Sequence, residues 1–339
     1  MKVVTFGELM LRLQPFDYLR IVQSEKYEAT YGGGEANVAV SLANFGLDAY
    51  FVSKLPNNEI GQAGVNSLRR YGVHTDYIKR AGERCGIYFL EKGASQRPSK
   101  VIYDRKYSAF YFSTEDDYNW GEIFKDCSWF HFTGITPAVS PELRKICLTA
   151  VKEAKKRNIT VSCDLNYRNK LWTKQEANIT MNELCKYVDV LIANEEDAAD
   201  VFNIKPLNND VNSGIINKEG YKSVAKQLQE KFGFKKVAIT LRTSITAFDN
   251  KWAALLYDGE NYCFSKEYNL HIIDRVGGGD SFGAGLIYSL INDYSTQDAV
   301  EFAVAASCLK HSIEGDYNMV SVDEVKKLVS SGGSGRVQR

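Results

Sequence analysis

The stretch Asp274-Arg275-Val276-Gly277-Gly278-Gly279-Asp280-Ser281-Phe282-Gly283-Ala284-Gly285 sets three glycines and a carboxylate in front of a run of small residues. Glycine tolerates a tight turn and lets a ligand approach the backbone, because no Cβ stands in the way. The small residues that follow read as the first turns of a helix. A helix start carries amide N–H groups without intrahelical acceptors and a partial positive charge, which suits a phosphate or a developing anion. Asp280 stands at the mouth of that site. There a carboxylate can take the proton of an attacking hydroxyl while the amides hold a phosphoryl group. The same letters also describe a plain turn with Asp280 as a helix cap. The local string does not separate the two readings.

On either side of this stretch, strands and helices alternate. Val237 to Leu241 reads as a strand with Arg242 at its end, and a hairpin spans about 252–264. Helices follow to about Asp293, from Thr296 to about His311, and from Val322 to about Ser330. Nearer the N-terminus, Val188 to Ala193 is a strand that delivers Asn194-Glu195-Glu196-Asp197. That acidic end could orient hydrated magnesium or form the acidic first turn of a helix. Ile159 to Leu165 is a strand with Asn166-Tyr167-Arg168 at its C-terminal end. Trp129 to Phe132 is another, followed by a helix that Ser140 caps and Pro141 opens. Tyr31-Gly32-Gly33-Gly34-Glu35-Ala36-Asn37 leads into a helix over Val38–Phe45 that Gly46 ends. It is either a tight loop or a seat for a small ligand, with Asn37 offering its amide. Such alternation predicts an α/β fold, a doubly wound and mostly parallel sheet flanked by helices. In sheets of this kind ligands bind at the C-terminal ends of the strands.

Two spans break the pattern. Gly86 to Glu91 and Lys100 to Arg105 read as two antiparallel strands, and 10–31 has poor periodicity. Together, about 10–31 and 84–112 would make a small β-sheet lid that excludes water. Alternation puts Tyr103 and Arg105 on one face, where an arginine can hold a carboxylate or simply meet solvent. Residues 203–217 read as a loop and 331–339 as a mobile tail.

Lysine plus arginine and aspartate plus glutamate number 42 each, so no basic excess points to nucleic acid or to an anionic membrane. No apolar run is long enough to span a bilayer, and the chain opens directly into a strand at Val3, so a cytoplasmic protein is expected. Seven scattered cysteines without a C-x-x-C pair read as reduced thiols, and four isolated histidines argue against a histidine metal site.

The spaced signals Gly33-Gly34-Glu35-Ala36-Asn37, Asp164-Leu165-Asn166-Tyr167-Arg168, Asn194 and Asp274 to Phe282 resemble those of the ribokinase/PfkB family of carbohydrate kinases over essentially the whole chain, 1–339. Within it, Tyr31 to Asn37, Cys85 to Tyr88, Tyr103 to Arg105, Thr133 to Ala138, Asp164 to Trp172 and Lys310 to Asp316 resemble the kinases of 2-keto-3-deoxygluconate. The resemblance implies transfer of the ATP γ-phosphate to the 6-hydroxyl of that sugar acid, with Mg2+, and leaves a monovalent cation open. It makes Asp280 the base and the amides of Gly277, Gly278 and Gly279 the anion hole. It puts Gly33, Gly34 and Asn37 on sugar hydroxyls, with Tyr88, Tyr103, Arg105 and Arg168 around the substrate. It puts Asn166, Asn194, Arg242, Gly277, Gly279 and Asp316 on the nucleotide side, Asp316 near the adenine. Asn194 and Asp197 become candidate magnesium contacts through water. A buried guanidinium needs an anion, so Arg105 and Arg168 argue for an acidic sugar over fructose or ribose. A fructokinase, a 5-keto-2-deoxygluconate kinase and a non-catalytic sugar sensor are the alternatives. The lid edge strand offers a dimer surface, and a homo-oligomer is expected.

Overall fold

The computed structural model describes residues 1–206 and 218–332. The strands are β1 Lys2–Phe6, β2 Met10–Pro15, β3 Tyr27–Gly32, β4 Asp48–Leu55, β5 Ile78–Arg80, β6 Gly86–Glu91, β7 Lys100–Asp104, β8 Cys127–Thr133, β9 Thr160–Asp164, β10 Val190–Asn194, β11 Lys236–Ser244, β12 Asp249–Tyr257, β13 Tyr262–Phe264 and β14 Tyr268–His271. The helices are α1 Gly34–Asn44, α2 Glu59–Arg69, α3 Trp120–Ile123, α4 Ile135–Val139, α5 Pro141–Lys156, α6 Lys174–Leu184, α7 Glu195–Phe202, α8 Lys218–Phe232, α9 Gly278–Ile291, α10 Thr296–Lys310 and α11 Val322–Ser331.

β1 shows why the sheet is buried on both faces. Successive side chains of a strand point to opposite sides. Val4 and Phe6 pack with Phe130, Phe132 and Leu143 in one apolar layer, while Val3 packs with Phe51, Phe282 and Phe302 in the other. The large sheet runs β13-β12-β11-β10-β9-β8-β1-β4-β5. From β11 to β5 all neighbours are parallel, and β12 turns antiparallel at the far edge, with β13 and β14 paired to it. The chain leaves β1 toward β4 on one side, then returns to add β8, β9 and β10 on the other. That reversal opens a crevice above the C-terminal ends of β1, β8, β9 and β10.

A second sheet, ordered β3-β2-β6-β7, is built from the two spans that broke the alternation. It is mixed: β2 runs parallel to β6, while β3 and β7 are antiparallel to their neighbours. The expected strand pair at 84–112 is present; the parallel β2–β6 junction was not foreseen, because parallel neighbours are distant in sequence. The helix expected from Val38 begins at Gly34, so the early glycines belong to its first turn. Ser140 Oγ accepts the Leu143 amide at 3.2 Å, and Pro141 opens α5 as expected. No helix among the described residues is long and apolar enough to cross a membrane. The expected loop over 203–217 and the tail fall largely outside the described residues.

Candidate active site

The strand ends, the four-stranded sheet and the start of α9 enclose a cleft of about 630 Å³. Its floor is the glycine loop. Gly277 precedes α9 with φ 80°, a left-handed turn that favours glycine, and a Cβ there would collide with the Asp316 carbonyl. The three glycines are not equivalent. Gly278 gives its amide to the Arg275 carbonyl at 3.3 Å, and a Cβ on it would run into the His311 ring. A Cβ on Gly279 would meet nothing within 4 Å, and Gly277 and Gly279 line the cleft. The three glycines expected to form the anion hole thus differ in what surrounds them. Gly278 is a packing glycine with its N–H engaged, and the open amide face belongs to its neighbours.

Asp280 sits in the first turn of α9, where the helix start faces the cleft. The Asn37 side-chain amide donates to its Oδ2 at 2.7 Å, and Gly33 donates to Asn37 Oδ1 at 3.3 Å. Asn37 thus orients the carboxylate across 243 residues of sequence, where sequence reasoning gave it a sugar hydroxyl. Gly34 lies beside the pair; a Cβ on it would stand 3.5 Å from Asp280 Oδ1. Burial pushes the Asp280 carboxyl up to about 7 against the Asn37 hydrogen bond, with the Asp316 and Glu35 charges adding to the rise. Glu35 itself is buried, and its Oε1 accepts from the Thr133 amide, Thr133 Oγ1 and Thr136 Oγ1 at 2.7–3.0 Å. It ties α1 to the end of β8, and burial raises its carboxyl above the usual range.

The four-stranded sheet supplies the opposite wall. Tyr88 and Arg105 are buried there, and Tyr103 is partly exposed. Arg105 was expected to lack an internal counter-ion. It has one: Nε and Nη2 donate to Glu8 Oε2 at 2.8 and 2.5 Å, and Ser108 donates to the other oxygen at 2.6 Å. Glu8 follows β1 by two residues and is separated from Arg105 by 97, so no local pattern linked them. Tyr88 donates to the Asp316 carboxylate at 2.6–2.7 Å, and Arg12 bridges Asp316 and Asp274 at 2.6 and 2.5 Å. Asp316, expected beside an adenine, joins the small sheet to the glycine loop through Tyr88, Arg12 and Asp274. Its carboxylate packs where a Cβ on Gly32 would have to go.

On the sheet side, Asp164, Asn166, Arg168, Asn194 and Asp197 reach the cleft from β9, β10 and the turns after them. Arg168 makes no ion pair among the described residues; its Nη1 donates to the Tyr167 carbonyl at 2.9 Å. Burial raises the Asp164 carboxyl well above its ordinary range, and the Asp197 and Asp280 charges raise it further. Asp197 completes a helix cap: its oxygens accept from the Tyr167 and Asn194 amides at 3.1 and 3.3 Å, while Asn194 Oδ1 accepts from Glu196 and Asp197. Of the two readings left open for this acidic end, the first turn of a helix is realised. No cluster of three metal-ligating side chains occurs among the described residues. Arg242 lines the far end with Thr240 and Ser244 on one face of β11, joined by Arg275 and Trp252. Sequence reasoning assigned no role to Glu8, Arg12 or Arg275. Only the DRVGGGD setting of Arg275 could have drawn notice to it.

Residues 1–322 match the model of the pfkB family carbohydrate kinases. The chain belongs to that family. It is 31% identical over 335 residues to the 2-dehydro-3-deoxygalactonokinase of Haloferax volcanii, covering 98% of each chain. It is 26% identical to the 5-dehydro-2-deoxygluconokinase of Clostridium tetani, over 96% of this chain and 92% of that one. Among solved structures, the 2-dehydro-3-deoxygluconokinase of Thermotoga maritima superposes with a TM-score of 0.94 at 51% identity, covering 98% of each chain. The present kinase is therefore a carbohydrate kinase of pfkB type, with the ribokinase-like fold and a separate four-stranded sheet over its cleft.

Proposed function

We propose that this kinase transfers the γ-phosphoryl group of ATP to the 6-hydroxyl of 2-keto-3-deoxygluconate, giving 2-keto-3-deoxy-6-phosphogluconate. The observation that carries this reading is Asp280, held by Asn37 in the first turn of α9 beside the open face of Gly279. The carboxylate accepts the hydroxyl proton, and the amides of Gly277 and Gly279 receive the charge of the phosphoryl in flight. Phosphoryl transfer asks the protein mainly for position and for positive potential, and the helix start supplies both.

The lid side of the cleft takes the sugar, between Gly33, Gly34, Tyr88, Tyr103 and Arg105. Because Glu8 neutralises Arg105, the guanidinium left for a substrate carboxylate is Arg168. Arg168 feels the Asp164, Asp197 and Asp280 charges but makes no direct ion pair among the described residues, and an acidic sugar gives it a carboxylate to pair with. The β11 side takes ATP, with Asn166, Asn194, Arg242 and, newly, Arg275 around the phosphates. Asn194 and Asp197 would hold magnesium there through water, and the ion would offset the phosphate charge; each Asp197 oxygen already accepts one backbone amide. The relatives reported above are named for 2-keto-3-deoxygluconate, for its C4 epimer and for a 5-keto acid, and the similarity to the first at 51% identity supports the proposed substrate.

The deciding experiment is ADP release by the purified kinase with ATP and Mg2+. The panel is 2-keto-3-deoxygluconate, its galacto epimer, 5-keto-2-deoxygluconate, fructose and ribose. A kcat/KM highest for 2-keto-3-deoxygluconate is expected. A neutral sugar in first place would remove Arg168 as the carboxylate site and with it the proposed substrate.

A further inference from the structure

A buried cation behind the glycine loop has no part in the transfer just described. Lys310, the last residue of α10, is fully buried. Its Nζ donates to the Ile313 carbonyl at 3.0 Å and reaches the Asp274 carbonyl at 3.4 Å. Its Cε lies 3.3 Å from the position a Cβ on Gly277 would take. Asp274 opens the glycine loop, and Ile313 opens the segment that carries Asp316. Burial lowers the proton affinity of Lys310, and the Asp274 and Asp316 carboxylates act against that loss. With Arg12 on both carboxylates, the cluster holds two cations and two anions.

Backbone carbonyl oxygens around a compact positive charge are the coordination that potassium or ammonium takes. The resemblance left a free monovalent cation open. We propose that the Lys310 ammonium is a built-in monovalent cation. It ties the carbonyls of Asp274 and Ile313 and so fixes the Gly277–Gly279 loop, and the kinase needs no free potassium. Lys310 is a positioning residue; it touches neither substrate. The proposal rests on the reading of that loop as the anion site.

The test compares wild type and Lys310→Met in tetramethylammonium, potassium and ammonium chlorides at equal ionic strength. Melting temperature is read first, because it does not depend on any substrate, and turnover second. Wild type should melt alike in all three salts and turn over within about twofold. Lys310→Met should melt lower in tetramethylammonium and lose about 10–100-fold in kcat with a smaller change in KM, as for a group acting on transition-state donors. Potassium or ammonium should restore both, since a cation that binds only the folded state stabilises it by mass action. Wild type activated about tenfold or more by potassium would overturn the proposal. So would a folded Lys310→Met protein that responds equally to potassium and tetramethylammonium. If Lys310→Met does not fold, the wild-type comparison decides alone. Wild type inactive on every sugar would count against the proposed reaction, and the melting comparison would still decide the role of Lys310.

Discussion

Asp280 shows how one residue acquires a chemical role from its surroundings. Its carboxyl is pushed up to about 7, chiefly by burial. A base must be ionised to accept a proton, so kcat/KM should rise with pH up to about 7 and then level. Asn37 donates to the ionised form; without it that form is less favoured. In Asn37→Ala the inflection should therefore move to higher pH, and pH profiles of the two proteins check it. Asp280→Asn should fold and bind the sugar yet lose about 10³-fold or more in kcat. The linkage runs the other way for stability. An acid whose folded pKa is raised favours the folded state least when ionised, so Asp280 weakens the fold as pH climbs from about 4 to 7. Asp280→Asn should accordingly melt higher than wild type at about pH 8, with the difference vanishing near pH 4. A flat wild-type profile between about pH 5.5 and 8 would remove Asp280 from the base role.

At the scale of elements, the start of α9 separates packing from chemistry. Gly278 faces the His311 ring and Gly279 faces open space. Gly278→Ala should lower stability by about 1–3 kcal/mol through overpacking. Gly279→Ala should leave the melting temperature near wild type and lower kcat. Equal losses of stability in the two variants would contradict the assigned faces. The four-stranded sheet raises a similar question at the Arg105–Glu8 pair, where both groups are buried. Removing Arg105 leaves a buried carboxylate without its cation, which costs about 3–5 kcal/mol. Urea unfolding of Arg105→Ala should show that loss. The double variant with Glu8→Gln should be more stable than Arg105→Ala alone, because the stranded charge has gone. A double variant weaker than both singles would mean that the stranded Glu8 charge is not the source of the loss.

The whole molecule sets the state of the thiols. All seven cysteines are free, and Cys85, Cys147, Cys163 and Cys185 are buried. Burial pushes the Cys85 and Cys308 thiols up to about 12 and Cys127 up to about 11. The thiolate is the reactive species. At about pH 8 an aromatic disulfide reagent should label the native protein slowly, and the denatured chain should give seven equivalents. A reductant should leave the melting temperature unchanged; a fall would reveal a disulfide.

The sequence by itself determined the features that are local in the chain. The hydrophobic runs of β1, β8, β9 and β10 and the caps at Ser140 and Gly46 were legible because strand period and capping chemistry need only neighbouring residues. The glycine loop at 277–279 announced a helix start for the same reason. The tertiary structure alone decided which groups meet. Glu8 pairs with Arg105, Asn37 orients Asp280, and Asp316 meets Arg12 and Tyr88. Each of these contacts joins residues far apart in the chain, through strands whose order in the sheet is not their order in sequence. A charge in a sequence has no partner until the fold brings one, and the cost of burying it unpaired makes that partner decisive. That is why the family of chemistry could be read from motifs, while the Glu8 partner that occupies Arg105 could be read only from the folded cleft.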